Sequence, residues 1–231
     1  MSAHAAERST PGPRVVALGD SVTLGIGDST HPGIGAGWAA HVAHALGASE
    51  FVNLAANGTR ARDLVTTQVP SALMARPDIV LLTVGGNDVL RGDFCPPEIT
   101  LHVRAALNRL EKPGREIVMI SLDCIAAFSV LGRRVSTVMG RRVGQANGAI
   151  GAAAAGTRVH LIDGAEVFER VGHAAWHIDQ IHPSPEGHRA LTLEALHRVA
   201  PRFPHVAPIV PAGAAPSLIS RAWWMTHNGV P

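Results

Sequence analysis

Cysteine, aromatic side chains and long apolar runs are all scarce in this chain. Only two cysteines, Cys95 and Cys124, occur among 231 residues, which argues against a disulfide framework and makes free thiols the expectation. No run of eighteen apolar residues is present, so no membrane span or stable membrane insertion is expected. Residues 1–13 are polar and lack the apolar centre of a secretory signal. They read as a flexible leader, and a cytoplasmic location is the expectation. Aromatics make up 4% of the chain, and none interrupts its one arginine-rich stretch, Arg133-Arg134 with Arg141-Arg142. With a formal charge of only +2, that stretch reads as a solvated helix face, and no nucleic-acid partner is expected. Also missing are a Gly-x-x-x-x-Gly-Lys phosphate loop and a His-Glu-x-x-His zinc pair. His173 and His177 stand four apart without an evident third ligand, so neither a metal nor an organic cofactor is expected.

What is present suits one folded domain. Hydrophobic residues account for 46% and charged residues for 16%, and a chain of this length buries a single good core. The domain is expected over 14–203, followed by a Pro- and Ala-rich tail over 204–231 whose Trp223-Trp224 pair packs back on it. Five strand candidates alternate with helical patterns, the signature of a parallel α/β sheet. They are Arg14–Leu18, Glu50–Leu54, Asp78–Val84, Glu116–Ser121 and Arg158–Ile162. Trp38, Val42 and Leu46 form one apolar helical stripe with His41 and His44 at its flanks. Leu131, Val135, Met139, Val143, Ala146 and Ile150 form a longer stripe. A last helix is capped by Ser184, begins at Pro185 and buries Leu193, Leu196 and Ala200.

Four short segments carry the chemistry. They are Gly19-Asp20-Ser21, Asn53 to Gly58, Gly85-Gly86-Asn87-Asp88 and Asp179-Gln180-Ile181-His182. Each follows a different strand, and in an open parallel sheet the carboxyl ends of the strands share one rim. There they supply a serine nucleophile (Ser21), oxyanion donors, and a carboxylate (Asp179) three residues before a histidine (His182), a set suited to acyl transfer. Taken singly, each segment is an ordinary turn or a chance pairing. Their conjunction in order on one rim is what points to an active site. Leu90, Arg91 and Phe94 after the third block, and Ile125 and Phe128 after the fourth strand, are candidates for substrate contact.

These blocks resemble the SGNH hydrolase family, the GDSL lipases and esterases, named for a Ser, a Gly, an Asn and a His. The first block reads Gly19-Asp20-Ser21-Val22, with Val22 where the family name has Leu. The others read Asn53-Leu54-Ala55-Ala56-Asn57-Gly58, Gly85-Gly86-Asn87-Asp88 and Asp179-Gln180-Ile181-His182-Pro183. The resemblance spans about residues 14–200, and the Ala- and Arg-rich composition is similar to that of actinobacterial members. It implies a flavodoxin-like three-layer α/β/α sandwich with five parallel strands. It also implies Ser21, Asp179 and His182 as catalytic residues, with Ser21, Gly58 and Asn87 as the oxyanion hole. The expected activity is hydrolysis of small acyl or acetyl esters, with lipid esters and thioesters also open. The expected partner is a small-molecule ester, bound by a monomer or weak homo-oligomer. Two alternatives stand beside this reading: transfer of the same acyl group to an alcohol or amine, and a non-catalytic binding module on the same fold.

Overall fold

The computed structural model describes residues 11–29, 31–123, 128, 132–204, 206–212, 217, 219–220 and 223–224. Its frame is a five-stranded parallel sheet made of β1 (Arg14–Gly19), β2 (Glu50–Asn53), β3 (Ile79–Thr83), β4 (Glu116–Ile120) and β5 (His160–Ile162). The spatial order is β2-β1-β3-β4-β5, with Val15 opposite both Phe51 and Ile79. Each strand lies where the apolar runs place it: β1 runs one residue farther, to Gly19, and the other four are trimmed by one or two residues. The winding starts at β1, runs outward to β2, then returns to β3 and continues the other way. The reversal falls between β1 and β3, which is where such sheets open a ligand crevice beyond their carboxyl ends.

Alternate residues of each strand feed two cores, as the period-two pleat requires. Val16, Leu18, Val80, Leu82, Ile117 and Met119 face one layer of helices. That layer comprises α3 (Ala61–Asp63), a π-turn over Leu64–Gln68, α4 (Val69–Met74), α6 (Pro96–Leu110) and α7 (Arg133–Ala154). Val15, Ala17, Ile79, Leu81, Val118, Ile120 and Ile162 face the other. It holds α2 (Gly37–Ala45), α8 (Gly164–Val171) and α9 (Pro185–Val199). Two short helices, α1 (Ser21–Leu24) and α5 (Gly86–Val89), sit directly beyond β1 and β3.

Three helical expectations need correction. His41 is not at the flank of α2 but buried, because its Nε2 bonds Asp28 Oδ2 at 3.1 Å. In α7 only Val143, Ala146 and Ile150 of the expected stripe are buried, while Val135 is 41% exposed and Leu131 lies outside the described residues. A helix of 22 residues runs about 33 Å, against roughly 17 Å for a five-residue strand, so its first turns overhang the sheet. On α9 the buried face is His188, Leu191, Thr192, Ala195, Leu196 and Val199, and Leu193 is exposed. Polar His188 and Thr192 go inside because both find partners there. Thr192 Oγ1 donates to the His188 carbonyl at 2.8 Å, and His188 accepts from the Trp38 N–H at 3.2 Å.

Beyond α9 the chain folds back at first, with the Val206 and Ala207 N–H groups donating to the Ala45 carbonyl and Arg189 Nε donating to the Val210 carbonyl. Farther on, Trp223 is 61% exposed while Trp224 is half-buried. Cys95 is a free thiol, and Cys124 lies outside the described residues. Among the described residues, no helix is long and apolar enough to cross a membrane.

His188 makes the fold sensitive to acid. Its Nε2–H donates to the Ile26 carbonyl at 2.9 Å while Nδ1 accepts, so the ring is held neutral, and burial pushes its pKa down from 6.5 to about 4. In the unfolded chain the ring protonates first, so the stabilisation present above the unfolded pKa is lost as pH falls toward the folded one. Urea melts should therefore show the parent losing a few kcal/mol of stability relative to an H188Q variant between pH 6.5 and pH 4. A difference between the two proteins that stays constant over this interval would contradict this origin.

Candidate active site

The nucleophile position is built by β1 and its turn. Gly19 closes the strand at φ +116°, and a Cβ there would sit 1.9 Å from the Thr83 carbonyl oxygen, so only glycine lets β1 and β3 approach this closely. Gln68, from the π-turn, accepts from the Gly19 N–H at 2.6 Å and donates to the Gly19 carbonyl at 3.0 Å. Asp20 then caps α1, its Oδ1 accepting from the Val22 N–H at 3.0 Å. Ser21 is the first residue of that helix, where a backbone N–H has no partner within the helix.

The histidine arrives on a short closed loop. Trp176 and Pro183 pair as an antiparallel bridge, and the His177 N–H donates to the His182 carbonyl at 2.9 Å. Between them Gln180 adopts φ +57°, an uncommon conformation for a non-glycine residue. The turn aims Asp179 Oδ1 at the N–H groups of Ile181 and His182, at 2.9 and 3.0 Å. Asp179 Oδ2 meets His182 Nδ1 at 2.8 Å, and His182 Nε2 meets Ser21 Oγ at 3.0 Å. An ionised Asp179 accepts the Nδ1 proton, which assigns the Nε2 lone pair to the serine hydroxyl. Burial opposes the Asp179 charge, but His177, His182 and the two backbone donors outweigh it and hold the carboxyl well below the usual range. His177 Nδ1 lies 3.3 Å from Asp179 Oδ2, outside hydrogen-bond alignment.

The loops that carry Ser21 and His182 are locked together just behind the site. Gly27, at φ +97°, lies so close to Pro183 that a Cβ would stand 2.0 Å from its carbonyl oxygen. Asp28 Oδ2 accepts from Arg189 Nη1 at 2.8 Å, from His41 Nε2 and from the Gly37 N–H. Burial again resists the charge, and these donors lower the Asp28 pKa nonetheless. Asp28, His31 and His41 bring potential metal-ligand atoms within 4.8 Å of one another. Arg189 already stands among them, donating also to His31 Nε2 at 2.9 Å. Asp28 Oδ2 and His31 Nε2 are both taken by Arg189, whose guanidinium charge opposes a cation, so this cluster is a structural clamp.

Ser21, Asn87 and His182 line one cavity of about 230 Å³, together with Asp20, Asn57, Gly86 and Leu90. Asn87 Nδ2 donates one hydrogen to the Thr59 carbonyl at 3.1 Å, which orients the amide and leaves its second N–H. Gly58, at φ +81°, lines an adjoining depression that shares Asn57 with the cavity. Of the residues expected to contact substrate, Leu90 lines the cavity. Arg91 and Phe94 do not: the Arg91 carbonyl accepts from Arg142, whose guanidinium lies 5.2 Å over the Phe94 ring. Phe128 is half-buried, and Ile125 lies outside the described residues. Asn53 and Asp88 act as braces. Asn53 Nδ2 donates to the Thr23 carbonyl at 3.3 Å, and Asp88 accepts from the Ala61 N–H and Arg60. The inner walls come from residues no motif marks: Ile120, Leu122, Phe168, Trp176 and Leu191.

Asp20 carries a cost for the fold. It is 2% exposed, and burial, with repulsion from Asp88, pushes its carboxyl up from 3.8 to about 7 despite the Val22 N–H and His182. A raised folded-state pKa contributes stability below the unfolded value and loses it as pH rises through the folded one. D20N keeps the cap acceptor without the charge. Its stability relative to the parent should rise between pH 5.5 and pH 8.5 in urea melts, and a constant difference would mean that Asp20 does not titrate in this interval.

Residues 17–190 match the GDSL-like lipase/acylhydrolase family. No curated protein matches the chain. Among solved structures, a substituted form of an acetyl xylan esterase from Geobacillus stearothermophilus is similar at 22% identity and a TM-score of 0.65, covering 86% of this chain and 98% of that one. The esterase without that substitution is similar at 23% identity and a TM-score of 0.63, covering 82% and 94%. An α/β-hydrolase enzyme from the metagenome of Lake Arreo, Spain, is similar at 22% identity and a TM-score of 0.65, covering 82% and 95%. At these identities the likeness speaks for the shared fold. The family match spans most of the chain, which therefore belongs to the GDSL-like lipase/acylhydrolase family and is a serine hydrolase of the SGNH type acting on ester bonds.

Proposed function

We propose that the chain hydrolyses carboxylic esters through an acyl-enzyme formed on Ser21. The observation that carries this reading is the continuous hydrogen-bonded line from Asp179 through His182 to Ser21 Oγ, at 2.8 and 3.0 Å. His182 takes the serine proton as Oγ attacks the ester carbonyl, then returns it to the departing alcohol. Asp179 holds the ring in the required tautomer and stabilises the imidazolium. The carbonyl oxygen becomes an anion in the tetrahedral intermediate. The N–H groups of Ser21 and Gly58 and the free amide hydrogen of Asn87 receive it. Water, activated by His182 in the same way, then releases the acid. No step calls for a metal or organic cofactor.

S21A should fold normally and lose turnover of 4-nitrophenyl acetate. Circular dichroism and initial rates check both halves, and turnover equal to the parent's would reject Ser21 as nucleophile. N87A removes one oxyanion donor, so kcat should fall roughly 10²- to 10³-fold, with a much smaller change in KM. A loss below threefold would take Asn87 out of the oxyanion hole.

A further inference from the structure

The cavity beside Ser21 does not end at the reacting atoms. Leu90, 46% exposed, and Asn57 stand at its mouth, whereas Ile120, Leu122, Phe168, Trp176 and Leu191 are each 9% exposed or less and belong to the packed cores. These inner walls come from the end of β4, from α8, from the loop before His182 and from α9. The Phe168 and Trp176 rings meet edge to face with centroids 5.1 Å apart. Gly164 lets α8 start so close to β4 that a Cβ would lie 2.3 Å from the Ser121 carbonyl oxygen. The tight corner and the crossed rings together keep a space open behind the serine. Apart from Ser21, Asn87 and His182, the polar residues of the lining are Asp20, Asn57, Thr83, Ser121 and Asp123; Asp20 caps α1, and Ser121 Oγ accepts from the Gly164 N–H at 3.3 Å. Thr83 Oγ1 is buried there without a partner.

We propose that this recess is the acyl pocket and that it fits an unbranched apolar chain of up to about six to eight carbons, because an apolar cavity of about 150 Å³ accommodates benzene and the cavity here, its mouth and reacting centre included, measures about 230 Å³. The preferred substrate is a medium-chain acyl ester. The inference rests on Ser21 being the nucleophile and goes beyond it by naming the acyl group. An acetyl group leaves most of the recess unfilled and forgoes the contacts its walls offer. The acyl side is the one that suits a recess behind the serine. The alcohol has to depart past His182 and water has to enter by the same route, while the acyl group stays tethered to Ser21 through both steps. Leu122 gauges the length of the pocket. Its backbone is pinned by Asn147, whose Oδ1 accepts from the Leu122 N–H and whose Nδ2 donates to the Leu122 carbonyl, both at 2.8 Å. A larger side chain at this position therefore fills the recess.

The test is a series of 4-nitrophenyl esters with acyl chains from acetate to dodecanoate, at concentrations below micelle formation. Alongside it runs a series of acetate esters whose alcohol lengthens instead. Each methylene buried is worth about fourfold in kcat/KM, so hexanoate, four methylenes longer, should exceed acetate by roughly 250-fold, with no further gain at dodecanoate. L122W should reduce the hexanoate-to-acetate ratio at least tenfold. A flat or falling acyl series would overturn the proposal, as would a steeper dependence on the alcohol than on the acyl chain. If Ser21 is still labelled by a fluorophosphonate in that event, only the acyl assignment fails. Absence of both labelling and turnover would reject the nucleophile, and the acyl assignment with it.

Discussion

The contact between His182 Nε2 and Ser21 Oγ, 3.0 Å across 161 positions of sequence, is the constraint that the rest of the molecule serves. Neither partner reaches the other by local structure. Ser21 is delivered by β1 at the reversal of the sheet, and His182 by a loop that arrives after the last strand. Two further cross-links hold these segments in register. Seven residues beyond Ser21, Asp28 receives Arg189, which is seven residues beyond His182. His188 donates to the Ile26 carbonyl in the same layer. A buried ion pair of this kind is weak evidence for net stability, since desolvation opposes it. Here its geometric consequence is clear: the nucleophile and its base are fixed from behind.

Two carboxyl groups near His182 are driven in opposite directions by their surroundings. Asp179 gathers two backbone donors and two histidine rings and remains ionised. Asp20, buried and facing the field of Asp88, is pushed up to about 7. Pairs of carboxyls whose surroundings separate their pKa values are a recurring feature of active sites. The anionic one orients the imidazole, and the other spends its hydrogen-bonding capacity capping the short helix that carries Ser21. The oxyanion side is fixed in the same manner. Thr59 holds Asn87, Gln68 holds Gly19 and donates to Thr59 Oγ1 at 3.2 Å, and Asn53 ties the end of α1. Donors held by such partners need little reorganisation as charge develops on the substrate, which is the physical basis of oxyanion stabilisation.

The strands were legible because a parallel sheet covered on both faces demands continuous apolar runs, and Asp78–Val84 is such a run. The motif residues were legible only together, because each segment alone reads as an ordinary turn and it is the succession of four of them after different strands of one sheet that marks a site. Burial on the helices was harder to read, since a hydrophobic stripe ignores partners elsewhere in the chain. His188 is inside because Ile26 and Trp38 satisfy both its ring nitrogens, His41 is inside because Asp28 takes its Nε2, and Leu193 is outside because Thr192 and His188 turn α9 by a residue. Gln68 and the walls at Phe168, Trp176 and Leu191 carry no motif. Their roles arise only when α8, α9 and the π-turn are packed around the crevice. Arg91 and Phe94 follow the Asn87 block closely, yet α5 ends there and the chain turns toward Arg142 instead of the cavity.

Fold, clamp and crevice converge on one chemical claim, that the Ser21 hydroxyl is a nucleophile activated by His182. The most direct measurement is the rate and site of reaction with a fluorophosphonate, followed by peptide mapping, in the parent chain and in H182A. The account predicts a single adduct on Ser21 that forms at least a hundredfold more slowly in H182A, at the lower end of what a general base contributes. An adduct elsewhere, or equal labelling rates in the two proteins, would contradict it.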